Sequence, residues 1–447
     1  MEYLAAWMFL ALTVWLMAGF PVTFTLLGTG LIFGLFGAGW DFFQLLPMRI
    51  FGVIKNVMLI AVPLFVFMGV TLEKSGLAED LLDTMGMLFG RLRGGLAISA
   101  VVVGALLGAS TGIVGATVVT MGLLAVPTML RRGYQKELAT GTVAASGTLG
   151  QIIPPSIVLV LLATIVQVPV GDLFIAAVLP GLLLVALYII YIVIAVMVKP
   201  EIAPPIPRDE FEGLDRMQFI LRVAWALFPP LLLIFFVLGS IFAGIASPTE
   251  AASVGCIGAL LLAVLNRVLF GRTFNMQTFR EVMASTTKLT CMVFIILVGA
   301  SAFGLTFREL DGDELVRGFL FSIEHKFSTW MVLAIVMAVI FLVGFVLDFI
   351  EITFIHVPVL VPILIEDFHF NALWICVLLA VNLQTSFMTP PFGFSLFYLK
   401  AVTPPEVRTG HIYRGIVPFV AFQLLGLFIV AFFPELATWL PKVFYTN

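Results

Sequence analysis

The chain has 447 residues, 61% of them hydrophobic and only 11% charged, with a formal net charge of -3. Soluble domains carry about 25% charged residues, so too little polar surface remains to cover a soluble core, and disordered, collagen-like, coiled-coil and disulfide-scaffold classes are excluded too. What remains is an all-α polytopic membrane protein set in a lipid bilayer, with no reason to take nucleic acid as a partner.

A helix needs about 20 apolar residues to span the bilayer core, so this length holds roughly 10 to 14 passages. The first apolar runs are 3–19 and 22–39. No basic n-region precedes them, so a cleaved signal peptide is not expected. Gly28-Thr29-Gly30 with Gly34 imitates a dinucleotide loop. It lies in an apolar run with no strand before it, which predicts close helix packing instead. A run at 57–72 leads into an amphipathic stretch, Leu77–Leu92. Two paired runs follow, 95–109 and 112–130, joined by Ser110-Thr111-Gly112. The run 137–166 holds Gly147, Gly150, Pro154 and Pro155 in its middle, and 172–198 is unbroken. After the linker 201–217 come 218–238, 251–266 and 286–305, then a second amphipathic stretch, Gly312–His325. A second pair, 329–347 and 350–365, is joined near Asp348. The run 371–403 holds Pro390, Pro391 and Gly393, and 415–433 is the last.

Proline inside a helix removes a backbone hydrogen bond and clashes with the preceding turn. Two adjacent prolines should therefore break 137–166 and 371–403 rather than kink them. Broken helices at membrane depth are tolerated only inside protein or beside a watery cavity. The two diprolines are 236 residues apart, and the paired runs and amphipathic stretches repeat at nearly the same interval. This predicts an internal duplication. Residues 1–200 carry a hairpin at 95–130 and a broken helix at 137–166, and residues 218–447 carry a hairpin at 329–365 and a broken helix at 371–403.

Loop charge orients the halves. Arg131, Arg132 and Lys136 lie at the base of the first hairpin, whereas the second base has Glu366, Asp367 and His369 and no Lys or Arg. The positive-inside rule puts the first base and the 201–217 linker in the cytoplasm and the second base outside. Arg267, Arg272, Arg280, Arg408 and Arg414 then fall inside, both termini fall outside, and Arg49 and Lys55 dissent by falling outside. Inverted repeats, each with a re-entrant hairpin and a broken helix, are a signature of secondary transporters.

Several chemistries are absent. There is no phosphate-binding G-x-x-x-x-G-K-[ST] and no H-E-x-x-H, and His325, His356, His369 and His411 do not cluster as metal ligands. Cys256, Cys291 and Cys376 sit far apart in apolar runs and read as packing residues. An intramembrane enzyme would need a clustered acid–base or metal set, so the chain is not expected to be an enzyme. An ion gradient is the expected driving force.

The specific stretches are Ser146-Gly147-Thr148-Leu149-Gly150-Gln151-Ile152-Ile153-Pro154-Pro155-Ser156, Pro248-Thr249-Glu250-Ala251-Ala252, Leu347-Asp348 followed by Val357-Pro358-Val359-Leu360-Val361-Pro362, and Asn382-Leu383-Gln384-Thr385 with Thr389-Pro390-Pro391-Phe392-Gly393. In this order, over essentially the whole chain, they resemble the large membrane subunit of TRAP transporters (tripartite ATP-independent periplasmic transporters), the DctM-type permease. Gln384-Thr385-Ser386-Phe387-Met388-Thr389 resembles a subgroup linked by name to mannitol, chloroaromatic compounds and 2-oxo acids. The resemblance implies an inverted-repeat fold of the ion-transporter superfamily, with two re-entrant hairpins and two broken helices, working as an elevator. It implies a bacterial inner-membrane, multi-pass subunit that imports organic acids by sodium symport. The implied partners are a small four-helix membrane subunit and a periplasmic substrate-binding protein. A self-sufficient carrier without a binding protein is the rival within transport.

Site candidates follow from the breaks and the resemblance together. Ser110, Thr111 and Gly112 at the first hairpin tip offer hydroxyl and carbonyl oxygens for sodium, or else a polar turn capping the next helix. The family shows Ser-Gly-Ser here, so Ser-Thr-Gly leaves the second donor open. Ser146, Gly147 and Thr148 precede the first diproline, where a stopped helix leaves free carbonyls. The bland alternative is small-residue helix packing. Gln384, Thr385, Ser386 and Thr389 are the mirror set for sodium. Asp348 could bind sodium, reach substrate through water, or cap the following helix. Glu351 could pair with it, or both could face outward. Gly150, Pro154, Pro155, Ser156, Glu351, Asn382, Pro390 and Pro391 are the expected substrate-facing residues. His356 reads as a packing residue, and Glu250, after Ser247-Pro248-Thr249, as a helix-start acid.

Overall fold

A computed structural model describes residues 3–40, 42–112, 114–206, 216–270 and 274–445. The described residues form helices and no strand. In chain order these are α1 (Leu4–Met17), α2 (Val22–Gly37), α3 (Phe42–Ile54), α4 (Ala61–Lys74) and α5 (Leu77–Phe89). Next are α6 (Gly95–Thr111), α7 (Val114–Arg131), α8 (Lys136–Thr148), α9 (Ile157–Val166) and α10 (Val170–Val198). The middle holds α11 (Arg216–Phe242), α12 (Pro248–Phe270), α13 (Met276–Glu309) and α14 (Gly312–Lys326). The last part is α15 (Thr329–Val343), α16 (Phe349–Ile355), α17 (Val357–Glu366), α18 (Ala372–Met388), α19 (Phe394–Val402), α20 (Thr409–Phe432) and α21 (Glu435–Tyr445).

Among the described residues seven helices are long and apolar enough to cross a membrane alone, or eight if the bent pair α16–α17 is one span. The roughly 10 to 14 passages expected from length are therefore not all single helices. Breaks divide several runs into apolar helices of 10–17 residues. One break was not expected. The run 350–365 splits at His356, where α16 and α17 meet at 56°. Pro358, in the first turn of α17, lacks the N–H that would have met the Phe354 carbonyl, so the helix bends there.

Both diprolines interrupt their spans. Pro154-Pro155 and Pro390-Pro391 are cis peptides, and a 3-10 turn, Leu149–Gln151, ends the first arm. The order amphipathic helix, helix pair, broken span, long helix occurs in α5–α10 and again in α14–α20. Lys136 and Ala372, which open α8 and α18, are 236 residues apart, like the diprolines.

Hydrogen bonds sort the helix ends. At the basic end, Gly94 N–H donates to Ala203 O, Gln135 N–H to Ile202 O at 2.8 Å, and Lys136 Nζ to Glu406 O at 3.1 Å. The start of α8 therefore lies beside the end of α19, and the two broken spans run in opposite senses. Of the 201–217 linker, the first residues follow this end, and 207–215 lie outside the described residues. At the far end Arg317 Nε donates to Asp367 Oδ2 at 2.7 Å, and Trp374 Nε1 to Val430 O at 2.8 Å. Hydrogen bonding and charge from Asp367 hold the Arg317 guanidinium above its ordinary pKa.

Two packing groups emerge. Helices α2, α4, α11, α12 and α13 pack chiefly on one another, and α6, α7, α8, α10, α18, α19 and α20 form a second group. Within lipid the hydrophobic effect does not drive helices together, so close contact of small residues carries much of the packing. Gly30 presses on the backbone of Ala302 and Phe303, the close helix packing expected of this stretch, whereas Gly28 faces open space. Gly108 and Gly150 touch backbone to backbone: a Cβ on Gly150 would lie 2.7 Å from the Gly108 Cα. Each helix pair also reaches the other half, α7 packing on α19 and α16 on α9.

Candidate functional site

The site is built where two helices stop. Helix α8 ends at Thr148 and α18 at Met388. Their last turns carry the hydroxyls singled out in the sequence, and all are withdrawn from the surface. Ser146, Thr148, Gln384, Thr385 and Ser386 are at most 1% exposed.

Most of these hydroxyls give their proton to their own helix. Thr148 Oγ1 donates to Ala145 O at 2.8 Å, Thr385 Oγ1 to Val381 O at 2.7 Å, Ser386 Oγ to Leu383 O at 2.8 Å, and Thr389 Oγ1 to Thr385 O at 2.6 Å. Ser146 Oγ does the same to Val143 O at a longer 3.3 Å. Such back-bonding leaves the oxygen lone pairs pointing away from the helix. A row of lone pairs so presented suits a hard cation such as sodium, although Thr148 Oγ1 also accepts from Gln384 Nε2.

The two hairpins close over this row in matching ways. A Cβ on Gly104 of α6 would lie 2.8 Å from Ser146 Oγ, and one on Gly344, after α15, would collide with Ser386 Oγ. Gly147 is pinned against Val118 of α7. At the first tip Thr111 is buried with its hydroxyl 2.9 Å from that of Thr117. Gly112 has φ +60° and its N–H donates to Gly108 O, so it ends α6 as a left-handed cap that a Cβ would strain. The side chain of Ser110 lies outside the described residues.

At the second tip the carboxylates form a reciprocal cap. Asp348 Oδ1 accepts from the Phe349 N–H at 2.6 Å, and Glu351 Oε2 accepts from the Asp348 N–H at 3.1 Å. Of the roles open to Asp348, capping is the one its hydrogen bonds display.

The expected substrate-facing residues divide. Ser156 Oγ donates to Gln151 O at 2.7 Å, which bridges the first break, and Asn382 Nδ2 donates to Met337 O at 2.8 Å, which ties α18 to α15. Pro391 O accepts from Tyr413 Oη at 2.7 Å. Pro154, Pro155 and Pro390 line the breaks themselves. Two other readings gain contacts. Glu250 Oε2 accepts from Ser247 N and Oγ, both at 2.8 Å, as a helix-start acid should. His356 packs its ring 5.9 Å from that of Phe9, but it is not the satisfied histidine expected, since its buried Nδ1 has no hydrogen-bond partner.

The halves meet through residues that sequence reasoning largely missed. Gln384 Nε2 donates to Thr148 Oγ1 at 3.3 Å and to Tyr188 Oη at 3.4 Å. Tyr188 Oη donates to Gln423 Oε1 at 2.6 Å, with Met388 Sδ 3.5 Å away. Gln423 Nε2 donates to Val381 O at 3.3 Å. Gln423 is the one polar side chain between Gly415 and Phe432 of α20, and that isolation was the available signal; Tyr188 shares the apolar stretch of α10 with Tyr191. Gln151 is fully buried with both amide atoms unpartnered, and Gln384 Oε1 is likewise unpartnered. Buried polar atoms of this kind call for a partner such as water or an ion.

Comparison with known proteins agrees with the motifs. The family described as "Tripartite ATP-independent periplasmic transporter, DctM component" matches residues 9–436. The C4-dicarboxylate TRAP transporter large permease protein DctM of Pseudomonas aeruginosa is 31% identical over 402 residues, 90% of each chain. The sialic acid TRAP transporter large permease protein SiaM of Vibrio cholerae is 28% identical, covering 96% of both chains. The ectoine TRAP transporter large permease protein TeaC of Halomonas elongata is 28% identical over 95% of this chain and 96% of its own. Among solved structures, the Alcanivorax borkumensis YdaH transporter superposes with a TM-score of 0.61 at 15% identity, covering 95% of this chain and 97% of that one. At that identity the likeness concerns the fold. The chain belongs to the DctM-component family of tripartite ATP-independent periplasmic transporters, as a multi-pass inner-membrane large permease subunit and not an enzyme.

Proposed function

We propose that this subunit imports an organic acid by sodium symport, with an elevator motion, receiving substrate from a periplasmic binding protein and working beside a small four-helix membrane subunit. The observation that carries the reading is the pair of broken spans, where buried hydroxyls such as those of Thr385 and Ser386 give their protons to their own helix beside unpartnered amide oxygens of Gln151 and Gln384. Oxygens of this kind hold sodium without burying a full negative charge. Half-helix ends add carbonyls for cations and N–H groups for a carboxylate.

The two packing groups support a moving body, α6–α10 with α15–α20, against a frame of α2, α4 and α11–α13. The opposed broken spans support two inverted halves, 1–200 and 218–447. Names of relatives that include C4-dicarboxylate and sialic acid support an organic acid, with 2-oxo acids the class suggested by Gln384–Thr389.

The test is uptake into proteoliposomes holding the chain with its small subunit and its binding protein. Inward sodium should be required for uptake of labelled 2-oxo acids or C4-dicarboxylates. Equal uptake driven by a membrane potential with choline in place of sodium would sink the coupling. Uptake of free substrate by the chain alone would favour a self-sufficient carrier.

A further inference from the structure

Tyr188 and Gln423 belong to α10 and α20, away from the hydroxyl row, yet they determine how Gln384 can point. The order of protons along this network is fixed from one end. Val381 O can only accept, so Gln423 presents its Nε2 to it and its Oε1 to Tyr188. Tyr188 has one hydroxyl proton, and the 2.6 Å contact gives it to Gln423 Oε1. The phenol oxygen is then left only as an acceptor for Gln384. Thr148 Oγ1 has likewise given its proton to Ala145 O. Both neighbours of the Gln384 amide therefore demand its N–H groups. Its Oε1 must face the other way, and there it is buried without a partner.

We infer that Tyr188 and Gln423 are positioning residues that hold Gln384 Oε1 turned out as an acceptor for the coupling cation or for a water in its shell. The inference rests on the sodium reading above and deepens it. Thr148 and Gln384 come from opposite halves, so the amide so held reports on both broken spans together. Without the phenol, only Thr148 Oγ1 still holds the amide in this sense, so the flip costs less and Nε2 replaces the oxygen for part of the time. A nitrogen that carries hydrogens repels a cation, so apparent sodium affinity falls while the fold remains.

The test compares Tyr188→Phe, Gln423→Leu, Gln384→Glu and the double variant Tyr188→Phe/Gln384→Glu with the parent, in the complete transporter. Phe removes one hydroxyl and keeps the ring packed on Phe419. Tyr188→Phe and Gln423→Leu should raise the half-saturating sodium concentration about five- to ten-fold, as expected for one misdirected ligand. Maximal uptake at saturating sodium should stay within about two-fold, because the transport step is untouched. Melting in choline should fall modestly for the lost buried hydrogen bond, while the rise in melting temperature on adding sodium should shrink. A glutamate has an oxygen on each branch and needs no orienting, so in the Gln384→Glu background Tyr188→Phe should no longer change the sodium half-saturation.

If Tyr188→Phe lowers melting in choline and maximal uptake but leaves half-saturation unchanged, the phenol is a packing residue and the inference is overturned. The same holds if the Tyr188→Phe effect persists in the Gln384→Glu background. A parent protein with no sodium dependence overturns the coupling itself, which is a separate result. Should Gln384→Glu fail to fold, the sodium-dependent melting of Tyr188→Phe alone still decides between the two roles.

Discussion

Gln384 Nε2 lies 3.3 Å from Thr148 Oγ1, and the two residues are 236 positions apart, the same interval that separates the cis diprolines. Two positions that correspond in the chain's repeating order therefore touch each other. The hydrogen bond ties one stopped helix to the other at the point where both give up their backbone pairing. Removing the hydroxyl with Thr148→Val leaves Gln384 with one acceptor instead of two, at a cost of about 1 kcal/mol. Thr148→Val and Gln384→Leu should be clearly non-additive in melting experiments. Strict additivity would mean that the contact carries no energy.

The backbone contact between Gly108 and Gly150 admits no side chain. Gly150→Ala should push the first hairpin off the first break, costing about 1–3 kcal/mol as other overpacked contacts do. Uptake should fall by more than melting alone accounts for, since the hydroxyl row moves with the hairpin. Uptake equal to the parent, at equal membrane abundance, would contradict this placement.

Thr120 Oγ1 of α7 donates to Glu73 Oε1 of α4 at 3.0 Å, across the two packing groups. If these groups slide past one another, a covalent link here must stop transport. In a background with Cys256, Cys291 and Cys376 replaced, Glu73→Cys/Thr120→Cys should lose about nine-tenths of uptake on oxidation and recover it on reduction. Full uptake by the cross-linked protein would rule out relative motion at this contact.

Asp313, on the outer amphipathic helix α14, has a buried Oδ1 with no partner. Burial raises its carboxyl above the ordinary value of 3.8, against the opposing pull of Arg308 and Arg317. An acid raised in the folded state contributes its stability when protonated, fully below the ordinary value, and loses that contribution as pH rises through the raised one. Asp313→Asn should therefore melt above the parent at pH 7, and the gap should close as the pH approaches 4. A parent that melts higher at pH 7 would show that the Arg308 ion pair, at 3.6 Å, outweighs the burial.

Much of this arrangement can be read from residue order. Adjacent prolines cannot continue a helix, so both breaks are legible without coordinates, and so is the interval that pairs them. The hydroxyls before each diproline follow from the same argument. The bend at His356 is not legible in the run 350–365, which reads as one arm; the missing N–H of Pro358 is the local cause. The bridge through Tyr188 and Gln423 was hidden for a different reason. Each lies in a long apolar stretch with nothing in the spacing to link them, and only the packing of α10 against α20 makes the two a pair. Gln151 stood inside the quoted motif, yet nothing in its spacing marks it as buried with both amide atoms unmet. An apolar run measures hydrophobic length and not unbroken helix, so the runs mark apolar segments without showing where each helix starts and stops.

The order amide, phenol, amide along Gln384, Tyr188 and Gln423 has one more consequence. A relay for protons needs groups that take up a proton on one side and release it on the other. An amide does so only through an unfavourable tautomer, and the tyrosine here stands between two of them. The bridge between the halves is thus an insulator. A proton entering one broken span has no route to the other through this contact.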